Sequence, residues 1–304
     1  MIIFPTKRRF NKRIINKKEM ANELTIILGP TAVGKTDYAI ELAKKYDSPI
    51  ISCDSRQIFK EMKIGTAPPS DKQLKEVKHY FIFSHSVKDY YTAGKYEIEA
   101  LELLNDLFKS HKNLVMVGGS GLYIDALCNG LDDFPSADLE LRNSLNERLE
   151  KEGISSLRMQ LKYLDRKSYD TIDISNPRRI LRAVEVTLQT GKKYSDWKNS
   201  PQKKRPFAIK KIGLTRPREE LYNRINERVD KMISMGLIQE VESLSKYRNM
   251  PALNTVGYKE IFEYFDDKHS LEKAVELIKR NTRHYAKRQL TYWGRDKEIE
   301  WQNI

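Results

Sequence analysis

Short apolar runs alternate with amphipathic stretches along the first half of this chain. Residues 24–28 (LTIIL) are apolar and β-branched, the mark of a buried strand. Tyr38, Ala39, Leu42, Ala43 and Tyr46 then recur at helical spacing. Ser48-Pro49 interrupts that pattern, and Ile50-Ile51-Ser52-Cys53 reads as a second strand. The loop Gly65-Thr66-Ala67-Pro68-Pro69 cannot be helix interior, and residues 79–83 (HYFIF) read as a short strand or a packed loop. Residues 91–109 carry Tyr96, Ala100, Leu103, Leu104 and Leu107 on a helical face, and 114–117 (LVMV) is a further strand. Residues 207–214 alternate like another. Strands separated by helices predict an α/β fold around a parallel sheet.

The pattern changes near Leu131. Phe134-Pro135-Ser136-Ala137-Asp138 is rich in turn formers, and residues 138–200 read as short charged helices with no strand among them. Pro177 suits the first position of one of these helices. Residues 198–206 (KNSPQKKRP) form a basic linker back to the sheet. Residues 221–247 are helical with a candidate break at Gly236, Asn254 to Lys259 is a loop, and 271–292 is a final helix. The expected organisation is a core of 22–134 and 204–304 with a helical insertion at 135–203. There are no internal repeats or low-complexity tracts.

Composition adds a partner class. The 304 residues hold 55 Lys+Arg against 42 Asp+Glu, a net charge of +13, which points to a polyanion such as nucleic acid. Two cysteines, Cys53 and Cys128, are too few for a disulfide framework and lack metal-ligand spacing, so a reducing, cytoplasmic setting is the expectation. No apolar run approaches the roughly 20 residues of a bilayer span. Residues 1–21 are strongly basic without a signal peptide's apolar core; we read them as an arm outside the fold, disordered or preceding a true start at Met20.

The most specific chemistry lies between the first strand and first helix. Gly29-Pro30-Thr31-Ala32-Val33-Gly34-Lys35-Thr36 matches G-x-x-x-x-G-K-[ST] in the required setting. Backbone N–H groups of such a loop curl around phosphate, Lys35 supplies a point charge, and Thr36 is a candidate Mg²⁺ ligand. Asp54 follows the second strand, at the sheet edge where ligands bind, although capping the next helix is the alternative use of Asp54 or Ser55. Gly118-Gly119 stands after the 114–117 strand, where most P-loop ATPases carry a metal-holding acid; glycine there leaves room for a bulky ligand. Arg178 and Arg182 share a helix face, as do Arg224 and Arg228. In the last helix Arg283, Lys287 and Arg288 are interleaved with Tyr285 and Tyr292, which suits single-stranded nucleic acid, or a solvated face with inward-packed rings.

Together GPTAVGKT, ISCDSRQIF, GTAPP, VGGSGLY, FPSAD, NPRRILRAVEV, NTVGYK and RHYAKRQLTYW resemble, in order and spacing, the bacterial tRNA dimethylallyltransferases (tRNA isopentenyltransferases). The resemblance runs from about Leu24 to Trp293. It implies a P-loop NTPase-like parallel sheet flanked by helices, with an inserted all-helical domain that clamps tRNA. It implies transfer of a dimethylallyl group from dimethylallyl diphosphate to N6 of the adenine at position 37, beside the anticodon, in tRNAs reading codons that begin with U. Mg²⁺ would assist and the enzyme would act as a monomer. Asp54 would be the base; Thr31 and Arg228 would contact the diphosphate, although spacing alone does not choose Arg228 over Arg224. Asp54, Ser55, Arg56 and Gln57 would meet the target adenine. Ser120 and Arg142 fall at tRNA-contact positions. Arg178, Arg179 and Arg182, then Asn254, Gly257, Tyr258 and Lys259, then Arg283, Lys287 and Arg288 would grip the anticodon stem-loop.

Three other readings share parts of this pattern. A small-molecule kinase would use the P-loop but not the basic last helix. A prenyltransferase acting on free adenylates has less need of the helical insertion. A nucleic-acid-binding module with a regulatory P-loop would leave Asp54 unexplained.

Overall fold

The computed structural model describes residues 22–198 and 203–304; the expected arm at 1–21 and residues 199–202 of the expected linker lie outside the described residues. The apolar run at 24–28 forms β1 (Glu23–Leu28), buried along nearly its whole length. It leads through the P-loop into α1 (Lys35–Tyr46), then β2 (Ile50–Ser52), α2 (Asp71–Glu76), β3 (His79–Tyr80), α3 (Ala93–Leu107), β4 (Asn113–Val117) and α4 (Gly121–Asn129). Five helices follow: α5 (Leu139–Glu152), α6 (Ile154–Leu164), α7 (Arg166–Thr171), α8 (Pro177–Thr190) and α9 (Tyr194–Trp197). The chain then returns as β5 (Ala208–Thr215), α10 (Arg218–Ser234), α11 (Leu237–Ser243), α12 (Tyr258–Phe265), α13 (Leu271–Trp293) and β6 (Ile299–Asn303).

The six strands make one sheet in the order β3-β2-β4-β1-β5-β6, and every pairing is parallel. Helices cover both faces, as an all-parallel sheet requires. Register fixes the site. Ile27 lies opposite Val117, and Ser52 pairs with Val117 from the other side. The ladder continues one step further, with Gly118 N–H on Ile27 O at 3.1 Å and Cys53 N–H on Val117 O at 2.8 Å. Gly29, Asp54 and Gly118 therefore leave the same edge of the sheet side by side. Open parallel sheets bind ligands at that edge.

The strand β6 was not anticipated. Its sequence, IEWQN, is half polar because it is an outer strand with most of its side chains exposed. The helical stretch at 221–247 divides into α10 and α11 at Gly236, whose left-handed φ of 97° few other residues adopt at low cost. Asn176 caps α8, accepting from the backbone N–H groups of Arg178 and Arg179, with Pro177 in the first turn. Helices α5 to α8 enclose an apolar cluster of their own, centred on Leu145, Leu157, Leu161, Ile180 and Val184. No helix among the described residues is long and apolar enough to cross a membrane.

Glu240 of α11 anchors the loop after Asp54's turn. Its carboxylate accepts from the N–H groups of Lys63, Ile64 and Gly65 at 2.7–3.0 Å and from the Tyr258 hydroxyl at 2.6 Å. Removing it leaves the Tyr258 hydroxyl and a row of amides without an acceptor. We expect Glu240→Ala to lower unfolding free energy by about 2–3 kcal/mol in urea denaturation, with faster amide exchange at residues 63–65. Unchanged stability would mean that water replaces the carboxylate.

Candidate active site

The P-loop between β1 and α1 is held by basic side chains. Lys35 Nζ donates to Gly29 O at 2.8 Å and Pro30 O at 2.9 Å. From α10, Arg228 donates to the Thr31 hydroxyl and Arg224 to Ala32 O at 2.9 Å. Arg216, just past β5, donates to Val33 O at 2.8 Å. Burial pulls the Lys35 pKa down to about 8, with Arg228 pushing the same way and Asp54 opposing. Burial also lowers Arg228, to about 10. A cavity of about 460 Å³ opens here, lined by Thr31, Lys35, Thr36, Asp54, Arg224 and Arg228. Arg224 and Arg228 both reach it, so position alone still does not choose between them.

Asp54 lies two residues past β2 and starts no helix. Its Oδ1 accepts from the N–H groups of Arg56 and Gln57, at 2.9 and 3.3 Å, closing a turn. Both bonds fall on Oδ1, so Oδ2 is the oxygen left for a ligand. Asp54 faces the charges of Lys35 and Arg228 on one side and Arg56, Tyr123 and Tyr285 on the other. Gln57 donates to Thr66 O and Ala67 O at 3.2 and 2.9 Å, which ties the GTAPP loop to this turn.

A second cavity, about 790 Å³, lies on that other side, between the 139–190 helices and α13. Tyr123, Tyr285 and Tyr292 line it together with Arg56, Arg178 and Arg288. Burial lowers the Arg56 pKa and raises those of Tyr123 and Tyr285, so these tyrosines stay neutral. Ser120 Oγ accepts from Ser55 N–H at 2.9 Å and donates to Ser55 Oγ at 3.0 Å, which ties the turn after Asp54 to the start of α4 in the wall of this cavity.

Several expected contacts are placed differently. The Cα faces of Gly118 and Gly119 meet protein: an added Cβ would lie 2.6 Å from Cys53 and 2.5 Å from Gln289 Nε2. The glycines thus permit close packing of the loops, and the room expected for a ligand lies beside them. Arg142 and Arg182 reach the second cavity but share Glu185, which is fully buried, at 2.6 and 3.1 Å. Arg142 also donates to the Tyr90 hydroxyl, and Arg182 to Pro135 O at 2.8 Å. The expected 254–259 loop ends at Gly257, because Tyr258 and Lys259 open α12; Tyr258 is fully buried on Glu240 and Gly257 is buried beside it, so of these six residues only Asn254 and Lys259 are exposed. Arg283 turns to α10, donating to Asn226 at 2.7 Å, whereas Arg178, Arg179, Lys287 and Arg288 are exposed.

Sequence reasoning missed Arg216 and Gln289. Gln289, 5 % exposed, accepts from Thr31 N–H at 2.8 Å and donates to Gly119 O at 2.8 Å, joining the P-loop to the loop after β4. Its place in AKRQ was the only available signal. Arg216 had none, because a lone arginine after a strand is unremarkable.

Comparison with known proteins fits this geometry. A family model described as IPP transferase matches residues 57–296. The tRNA dimethylallyltransferase 1 of Bacteroides thetaiotaomicron is 47% identical over 278 residues, 91% of this chain and 90% of the relative. The tRNA dimethylallyltransferase 2 of Azobacteroides pseudotrichonymphae is 51% identical over 278 residues, 91% of each chain. Among solved structures, the tRNA isopentenylpyrophosphate transferase of Bacillus halodurans superposes with a TM-score of 0.68 at 33% identity, covering 93% of this chain and 90% of that one. A eukaryotic dimethylallyltransferase acting on tRNA gives a TM-score of 0.77 at 25% identity, covering 93% and 74%. With the P-loop, Asp54 and the basic, tyrosine-lined cavity on one scaffold, and relatives matched over nine-tenths of its length, the chain belongs to the IPP transferase family.

Proposed function

We propose that this enzyme prenylates tRNA, moving a dimethylallyl group from dimethylallyl diphosphate to N6 of the adenine beside the anticodon in tRNAs that read codons beginning with U. The observation that carries the reading is the position of Asp54, which lines a cavity ringed by cations while the next two residues, Ser55 and Arg56, line a larger one with tyrosines and arginines. The donor's diphosphate lies in the first cavity, on Lys35, Thr31 and Arg228, with Arg224 placed to join them. The target base leaves its stack in the anticodon loop and enters the second. Its N6 attacks the allylic C1; the N–C bond forms as the C–O bond breaks, and diphosphate departs with the electron pair. Lys35 and the arginines stabilise the charge that grows on the leaving oxygen. Asp54 Oδ2 accepts the proton that the amine sheds.

Magnesium fits the donor set. Among the described residues no three His, Cys, Asp or Glu side chains could cage a metal. A magnesium ion shared with phosphates needs only one or two protein oxygens, and Thr36 lines the first cavity. Thr36 would hold the ion, which when bound neutralises diphosphate charge. We read residues 135–203 as a clamp set into the core of 22–134 and 204–304. In this reading the enzyme acts as a monomer. Exposed Arg178, Arg179, Asn254, Lys259, Lys287 and Arg288 would hold the stem-loop; Ser55 and Arg56 line the base's cavity, whereas Gln57, expected to meet the base, lines the donor's.

Incubation with labelled dimethylallyl diphosphate and either tRNA or AMP tests the function: label should enter tRNA, and label in AMP alone would overturn the reading. Asp54→Asn should lower kcat by about 10²–10⁴-fold while tRNA affinity stays near wild type; near-normal turnover would remove Asp54 as the base. A lysine with a lowered pKa keeps its charge only below that value. Donor kcat/KM should therefore fall as pH rises through about 8, and a profile flat well above that would detach Lys35 from donor binding. Replacing Arg178, Arg179 and Arg288 together by alanine should reduce the salt slope of tRNA binding by about 2–3 units. An unaltered slope would place the RNA elsewhere.

A further inference from the structure

Gln289 is the one side chain described above that is hydrogen-bonded to both substrate loops. Its carboxamide has no spare orientation: Oε1 must accept from Thr31 N–H and Nε2 must donate to Gly119 O. Thr31 lines the cavity of Lys35 and Thr36, whereas Gln289 and Gly119 line the larger one beside Tyr285. Amide hydrogens of a P-loop are the usual donors to phosphate. Here one of them is turned onto a glutamine. For Thr31 N–H to reach a phosphate, Oε1 must find another donor or stay buried and unpaired, which is unfavourable. The larger cavity receives such a donor when the target base arrives. An exocyclic amine carries two hydrogens; Asp54 takes one, and the other is available to Oε1.

Resting on the tRNA-prenylation reading, we propose that Gln289 is a positioning residue that couples the two cavities. Without RNA its Oε1 holds Thr31 N–H. With the base in place Oε1 takes the second amine hydrogen and releases Thr31 N–H to the diphosphate. The coupling is reciprocal: each ligand tightens the other by the same factor.

Calorimetric titration of inorganic pyrophosphate into the wild-type protein tests this in three states. These are protein alone, protein with an anticodon stem-loop carrying adenosine at the target position, and protein with the same RNA carrying purine riboside, which lacks the amine. The adenosine RNA should tighten pyrophosphate binding by roughly fivefold or more, and the purine RNA should not. Gln289→Met, similar in size but without the amide, should bind each ligand separately and lose the tightening; Gln289→Asn, too short to span both loops, should do the same. In turnover, Gln289→Met should raise donor KM more than it lowers kcat. Equal tightening by both RNAs, tightening by neither, or tightening retained in the variants would overturn the coupling and leave prenylation standing. Failure of the adenosine RNA to bind would overturn both. The purine arm uses wild-type protein, so a poorly folding variant does not decide the result.

Discussion

Positive charge without a full counterion governs this structure. Lys35, Arg224 and Arg228 are brought to one end of a parallel sheet, where they meet peptide carbonyls and a threonine hydroxyl. Those groups are dipoles; they orient a cation but do not neutralise it. The depressed pKa values of Lys35 and Arg228 record the difference between such partners and water. Topology brings these cations together, because α10 follows β5, the neighbour of β1, and carries Arg224 and Arg228 to the loop that Lys35 closes. A ligand with several negative oxygens supplies what the protein leaves out. A preference for anionic ligands is thus built into this end of the sheet.

The other arginines obey the opposite rule. Arg142 and Arg182 converge on a fully buried glutamate and so arrive at the second cavity already neutralised. They also tie α5 and α8 to Tyr90 and Pro135, which fixes the helical segment at its junction with the sheet. The basic surplus therefore divides into cations paired with a buried carboxylate and cations, such as Arg178, Arg179 and Arg288, that remain exposed. Net charge alone does not separate these groups, but burial does.

Much of this was legible in the sequence because local signals and tertiary demands agree. β1, β2, β4 and β5 are mostly apolar where they are buried, with Thr25, Ser52 and Lys211 the exceptions, and the P-loop has a fixed spacing that survives any context. Asp54 was readable because it follows a strand at the ligand-binding edge. Other features depend on partners far along the chain. β6 is polar because it is an outer strand, and it exists only because β5 offers a free edge. Glu185 cannot be distinguished from a surface glutamate until α5 folds against α8. Gln289 acquires its role from Thr31, 258 positions away. Tyr258 belongs to a motif read as a gripping surface, whereas its ring fills the core and its hydroxyl meets Glu240.

That last pair separates mounting from display. Tyr258 and Glu240 peg the 254–259 loop from beneath, and Glu260 ties Gly257 N–H at 2.8 Å. Asn254 and Lys259 stand exposed on a backbone whose shape they do not determine. A loop built this way can be rewritten at its outward positions while its path through space stays constant. Substitutions at these two exposed positions thereby change the surface without moving the backbone that carries it, and the P-loop end of the sheet is insulated from that drift.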